Sequence, residues 1–149
     1  MNLTHLVVIP VLSLSALALT GCSAVTDFLY KESEATYFDA AELRDGWAKA
    51  DTVEWMPADA LDISIRESTA GDPAVMRFSS ESGLSPDDCA ETERRSMPVF
   101  VDDWTPDDDD VVKLTTVWAC ENWAVADIDG YYFGWTPSAP DEQAAAPTP

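Results

Sequence analysis

Three residue types in this chain can do chemistry: acids, cysteines and a histidine. The acids dominate. Asp and Glu total 28 against 8 Lys and Arg in 149 residues, a formal net charge of −20. Asp102, Asp103, Asp107, Asp108, Asp109 and Asp110 place six aspartates within nine residues. Calcium is a hard cation that takes several carboxylate oxygens, so this run is a candidate calcium site if its loop folds back; the plainer reading is a solvated acidic loop. A pair of carboxylates across a cleft supports glycoside hydrolysis, but no pair stands out among so many acids. The only histidine is His5. Beyond it there can be no Ser-His-Asp or Cys-His catalysis, no His-ligated zinc and no imidazole pH switch. No glycine-rich phosphate loop is present. Nucleic acid and anionic membrane surfaces are poor partners for the folded domain, because phosphate contacts need clustered Lys and Arg. The one basic pair, Arg94-Arg95, lies beside Glu91 and Glu93, which balance it.

The cysteines are Cys22, Cys89 and Cys120. Upstream of the first, Leu6 to Leu19 is an uncharged, mostly apolar run of 14 residues. A membrane-spanning helix wants about 20, and Pro10 weakens a long helix, so the run reads as a signal-peptide core. It ends in Leu19-Thr20-Gly21-Cys22, which resembles the lipobox of bacterial lipoproteins. The resemblance implies that the Cys22 thiol receives a diacylglycerol, that the peptide is cut before Cys22, and that the chain is held by lipid on the extracytoplasmic face of the cell membrane. Two acyl chains make a stable anchor where one gives only marginal binding. The chain departs from the class in its first five residues, which carry no Lys or Arg. The competing reading is an ordinary secretory signal with a chance cysteine, or a buried helix. With Cys22 acylated, Cys89 and Cys120 are an even pair in an oxidising compartment and are expected to form a disulfide. The closed loop of about 31 residues would stabilise the fold by roughly 3–4 kcal/mol and leave no thiolate nucleophile.

The elements that must position these groups follow from pattern. Residues 1–21 are the signal segment and 22–37 a lipidated tether, with a loose helical stretch around Phe28-Leu29-Tyr30. A single globular domain spans 38–136. Asp39 caps a helix toward about Ala50, with Glu42 three residues on and Phe38 stapled against Leu43; Leu43 and Trp47 share a face. Leu61, Ile63 and Ile65 alternate with Asp62, Ser64 and Arg66, and Ala74, Met76 and Phe78 with Val75, Arg77 and Ser79, giving two strands joined at Gly71-Asp72-Pro73. Ser85-Pro86 opens a capped turn, and Val99-Phe100-Val101 is a short strand candidate. Val111 to Cys120 reads as a strand with Trp118 and Cys120 on one face. Asp129-Gly130 between apolar runs marks a two-residue hairpin in which Ala124 faces Trp135, Ala126 faces Phe133 and Ile128 faces Tyr131. Asp127-Ile128-Asp129-Gly130 also looks like an EF-hand fragment, but Val125 would hold its first ligand position. Residues 137–149 are a Pro/Ala-rich tail expected to be disordered.

The fold expected is α+β: one N-terminal helix packed on an antiparallel sheet of about five strands, with a small β-sandwich or partly closed barrel as the alternative. The layout resembles the small lipoproteins of actinobacteria, a class label that implies no activity. Of six tryptophans, Trp47, Trp118 and Trp135 read as core. Trp104 in the acidic loop, with Trp123 and Tyr132 on the second sheet face, is the candidate exposed binding patch. The expected function is a non-catalytic interaction module with an envelope protein or glycan partner. A calcium- or glycan-binding module and a carboxylate-dependent hydrolase are the alternatives.

Overall fold

A computed structural model describes residues 31–148. The signal segment, Cys22 and the stretch around Phe28-Leu29-Tyr30 lie outside these residues. Within them the strands are β1 (Glu32–Asp39), β2 (Leu61–Ser68), β3 (Ala74–Ser79), β4 (Ala90–Glu93), β5 (Thr116–Cys120), β6 (Trp123–Ile128) and β7 (Tyr131–Thr136). Three short helices accompany them: α1 (Ala40–Gly46), α2 (Asp108–Lys113) and α3 (Pro140–Ala145), with a 3₁₀ turn at Ala50–Val53. The strands form one antiparallel sheet in the order β1-β2-β3-β7-β6-β5-β4. The α+β, β-rich character is therefore as expected. The strand count of five and the single helix are corrected to seven strands and three helices, and the sheet is open rather than a sandwich or a barrel.

Local chemistry explains most elements. Asp39 caps α1 by accepting from the Glu42 amide at 2.8 Å, and Glu42 accepts from the Phe38 amide at 2.6 Å, a reciprocal cap one residue wider than the usual box. Asp129 (φ 53°) and Gly130 (φ 82°) make the left-handed pair that a tight hairpin demands. The β6–β7 register is Ala124 to Trp135, Ala126 to Phe133 and Ile128 to Tyr131, as the alternation predicts. Cys89 and Cys120 are joined by a disulfide with Cα atoms 4.4 Å apart. Ser85 turns the chain before Cys89, accepting from the Asp88 and Cys89 amides.

Five expectations fail for definable reasons. The segment read as tether through Tyr37 instead contributes β1, paired along its length with β2. As a strand residue Phe38 points away from Leu43 and is 70% exposed, so no staple forms. Residues 108–113 are helix rather than the start of a strand, since Asp108, Asp109 and Asp110 fill its first turn, where carboxylates favour the helix dipole; the Val99–Val101 strand is absent, and β4 forms instead on the edge of β5. The tail read as disordered includes α3, which packs on β4 and β5.

The sheet is buried on both faces, with different roofs. On the first face Ile63, Ile65, Met76, Phe78, Trp123 and Val125 meet α1, Trp47, Trp55 and the disulfide. Gly134 makes this possible: a Cβ there would stand 3.3 Å from the Trp123 ring and 3.5 Å from Met76 and Val125. On the second face Val75, Ala124, Ala126, Phe133 and Trp135 lie under residues 94–115, with Phe100, Trp104, Val111 and Leu114 facing them. That roof is fastened by Glu142 of α3, whose carboxylate is fully buried. It accepts from the Arg95 and Ser96 amides, the Ser96 hydroxyl and the Ala139 amide at 2.6–3.0 Å, and Ser96 Oγ in turn accepts from Trp135 Nε1 at 2.7 Å.

Candidate functional site

The residues nominated for an exposed patch do not meet. Trp123 is 1% exposed, with its ring 6.4 Å from Trp47 and 6.1 Å from Trp55. Tyr132 is half-buried on the same face, stacked on Phe78 at 5.2 Å; burial, then the Asp127 and Asp59 carboxylates, push its phenol pKa up. Trp104 packs on the opposite face and donates Nε1 to Glu34 at 3.0 Å. Alternation puts Trp123 and Tyr132 together correctly, but residues 40–60 and 80–89 cover that face. The loop over Tyr132 is held by Asp59, which accepts from the Ser80 and Ser82 hydroxyls and the Glu81 and Ser82 amides; these bonds, the Ser80 and Ser82 hydroxyls foremost, hold its carboxyl far below the ordinary range.

The acidic run is dispersed. Asp102 pairs with Arg66, which also pairs with Glu32. Asp110 pairs with Lys113 at 3.0 Å, and Asp107, Asp108 and Asp109 lie at the start of α2. Among the described residues no group of three or more His, Cys, Asp or Glu side chains is placed to hold a metal ion, so Asp102, Asp103 and Asp107–Asp110 do not converge as the calcium reading requires. Of the basic pair, Arg95 meets Glu93 at 2.7 Å, while Arg94 donates to the Leu114, Ser96 and Val112 carbonyls.

A different set of residues does come together at the Phe38 end of β1 and β2, beyond the point where Asp102 and Trp104 tie the roof of the second face to Arg66 and Glu34. Strand register places Thr36 opposite Ser64 and Ser64 opposite Arg77. The resulting groove, about 570 Å³, is lined by Thr36, Phe38, Asp62, Ser64, Arg77 and Tyr131 among others. Arg77 and Tyr131 also wall a second cleft of about 240 Å³ that reaches Trp104. The Arg77 guanidinium lies 4.4 Å from the centre of the Tyr131 ring, a cation–π contact, and its Nη1 donates to the Trp104 carbonyl at 3.1 Å. Its Nε–H is buried without an acceptor. Phe38 is 70% and Tyr131 40% exposed. Asp62, at a bulge in β2, has φ 52°, a left-handed backbone uncommon for a residue with a side chain and often found beside functional surfaces.

Sequence reasoning missed Phe38, Arg77 and Tyr131. The signal was available for two of them: Arg77 alternates with Met76 and Phe78, and Tyr131 opens the predicted hairpin strand. Phe38 was hidden because it was read as a staple against Leu43, with the strand before it read as tether.

A smaller cleft, about 230 Å³, opens on the first face beside Trp47, Lys49, Asp72, Glu121 and Trp123. Glu121, at φ 53° in the β5–β6 turn, has its carboxyl pKa raised by partial burial and then by Glu54, Asp88 and Asp51. Lys49 is fully engaged there, pairing with Glu67 at 2.8 Å and donating to the Ser68 and Gly71 carbonyls.

No family model matches the chain, and no curated protein or solved structure is significantly similar to it. No helix among the described residues is long and apolar enough to cross a membrane.

Proposed function

We propose that the chain is a non-catalytic interaction module, held by lipid on the extracytoplasmic face of a bacterial membrane. The observation that carries the reading is the 14-residue apolar run ending in Leu19-Thr20-Gly21-Cys22. The Cys89–Cys120 disulfide accords with an oxidising compartment. It also leaves residues 23–149 with no free thiol, and no histidine occurs after residue 5, which removes thiolate nucleophiles and imidazole bases. A cationic partner would be drawn by the net charge of −20 and a polyanionic one repelled.

The anchor also places the domain. Eight residues lie between Cys22 and Lys31, and their nine steps reach at most about 32 Å. Metabolic labelling with an alkyne fatty acid tests the reading: the native chain takes label and stays with the membrane, and Cys22→Ser loses both. Label retained by Cys22→Ser, or a native chain without label, contradicts it.

The glycan-binding alternative is favoured by a specific observation, the exposed rings of Phe38 and Tyr131 flanking Arg77. Aromatic faces and paired donors and acceptors are what a sugar surface requires.

A further inference from the structure

We propose that the open part of the second sheet face, from Phe38 across Arg77 and Tyr131 to Trp104, binds a neutral oligosaccharide. This rests on the reading of the chain as a displayed interaction module and names the ligand class of its surface.

Four features of the groove select that ligand. The first is Arg77. Among the described residues it makes no ion pair, although the chain carries 28 acids. Its orientation is fixed by the Trp104 carbonyl and the Tyr131 ring; Nε–H is buried, so any donation to a ligand comes from the terminal nitrogens. A guanidinium held in this way is a preorganised donor to a ligand oxygen. The second is the pairing of that donor with an acceptor: Asp62 shares the groove, which Thr36 and Ser64 also line. A sugar hydroxyl accepts from one group and donates to another, and so satisfies both. The third is the aromatic surface. Phe38 and Tyr131 are exposed while the rings of the first face are buried, and Trp104 extends the apolar floor into the adjoining cleft. Strands β1 and β7 are three places apart in the sheet, about 14 Å at the usual strand spacing. Phe38 and Tyr131 are therefore separated by more than one sugar ring, and the ligand is a chain of rings rather than a monosaccharide.

Charge is the fourth. Asp62 and Glu42 line the larger groove, and Asp103 and Asp129 the smaller cleft. With a net charge of −20 behind them, these carboxylates repel sulfated or uronic-acid polymers while accepting from neutral hydroxyls. The groove also faces the right way for a tethered module. Phe38 and Tyr131 sit at the end of the sheet opposite Lys31, since β1 starts at the tether and finishes beside Asp39.

The experiment is calorimetric titration of the purified native chain with maltotriose, cellotriose and tri-N-acetylchitotriose, and with heparin as the polyanionic competitor. At least one neutral trisaccharide binds, heparin does not, and Phe38→Ala weakens binding tenfold or more without moving the melting temperature. Tyr131→Ala weakens it similarly. Arg77→Lys, which keeps the charge but loses the planar fork, lowers affinity while leaving the fold intact by circular dichroism. Three results overturn the proposal: no heat from any trisaccharide, heparin binding more tightly than all three, or binding unchanged in Phe38→Ala and Tyr131→Ala. Acylation at Cys22 is read separately by labelling, so loss of the ligand proposal leaves the anchor standing, and the reverse.

Discussion

The two faces of the sheet are built from the same alternating strands and end differently. On the first, α1, the segment after it and the 80–89 crossover close over Trp47, Trp55, Phe78 and Trp123, and a disulfide fastens the far side. The second is roofed by residues 94–115, from which Asp102 and Trp104 reach Arg66 of β2 and Glu34 of β1, and the remainder beside Phe38 and Tyr131 is open. The first face therefore carries stability, and the open part of the second is the surface on which we propose that a ligand sits. Aromatic content does not distinguish them, because both are rich in it. What differs is how much chain passes over each.

Several substitutions sharpen that contrast or break it. Trp123→Ala empties the most crowded part of the first face and costs about 3–5 kcal/mol in urea unfolding, whereas Phe38→Ala on the open side changes stability by less than about 0.5 kcal/mol. Comparable losses at both sites would end the division of labour. Removing the staple with Cys89→Ala and Cys120→Ala together costs about 3–4 kcal/mol, seen equally by reduction of the native chain; an unchanged melting temperature would show that the crossover is held by packing alone.

Glu142→Ala tests the half-roof. It strands the Arg95, Ser96 and Ala139 amides that the carboxylate now satisfies, at a cost of about 2–4 kcal/mol. Hydrogen exchange should quicken in residues 94–115 and α3 before it quickens under the first face. Uniform quickening would mean that the two roofs are one cooperative unit.

The smallest effect is electrostatic. Glu121 has a raised pKa in the folded chain, so folding favours its protonated form. Its contribution to stability is present at acid pH and is lost as pH rises through the carboxylate range to that raised value. Glu121→Gln is thus slightly stabilising at neutral pH, by no more than about 0.5 kcal/mol given solvent screening, and the gain vanishes on acidification. Asp59 has the opposite sign. Its depressed pKa supports the 80–83 loop at neutral pH, and the support fades below the ordinary carboxylate range. Stability curves for Asp59→Asn and the native chain should converge in acid.

How far the sequence discloses all this depends on where each element draws its stability. The β6–β7 hairpin was legible because Asp129-Gly130 and strict alternation are local signals, and the disulfide because cysteine parity leaves one partner. Strand β4 reads Ala-Glu-Thr-Glu and has no apolar face; it exists through its ladder with β5. Strand β1 has only Ala35 and Tyr37 facing inward, too weak a pattern to separate from a tether. Helix α3 carries a helix-start proline, yet its buried residue is Glu142, and no hydropathy pattern announces a buried carboxylate. The exposure of Trp104, Trp123 and Tyr132 was misjudged for the same reason. Pattern assigns residues to faces correctly, while the roof over a face depends on long loops whose path is set by tertiary contacts.

The proposed placement at a membrane presupposes export and acylation, and intact-mass analysis of the native protein decides it directly. The account predicts a chain beginning at Cys22, bearing a diacylglyceryl thioether, with Cys89 and Cys120 oxidised to each other. A chain retaining residues 1–21 with three free thiols would contradict it.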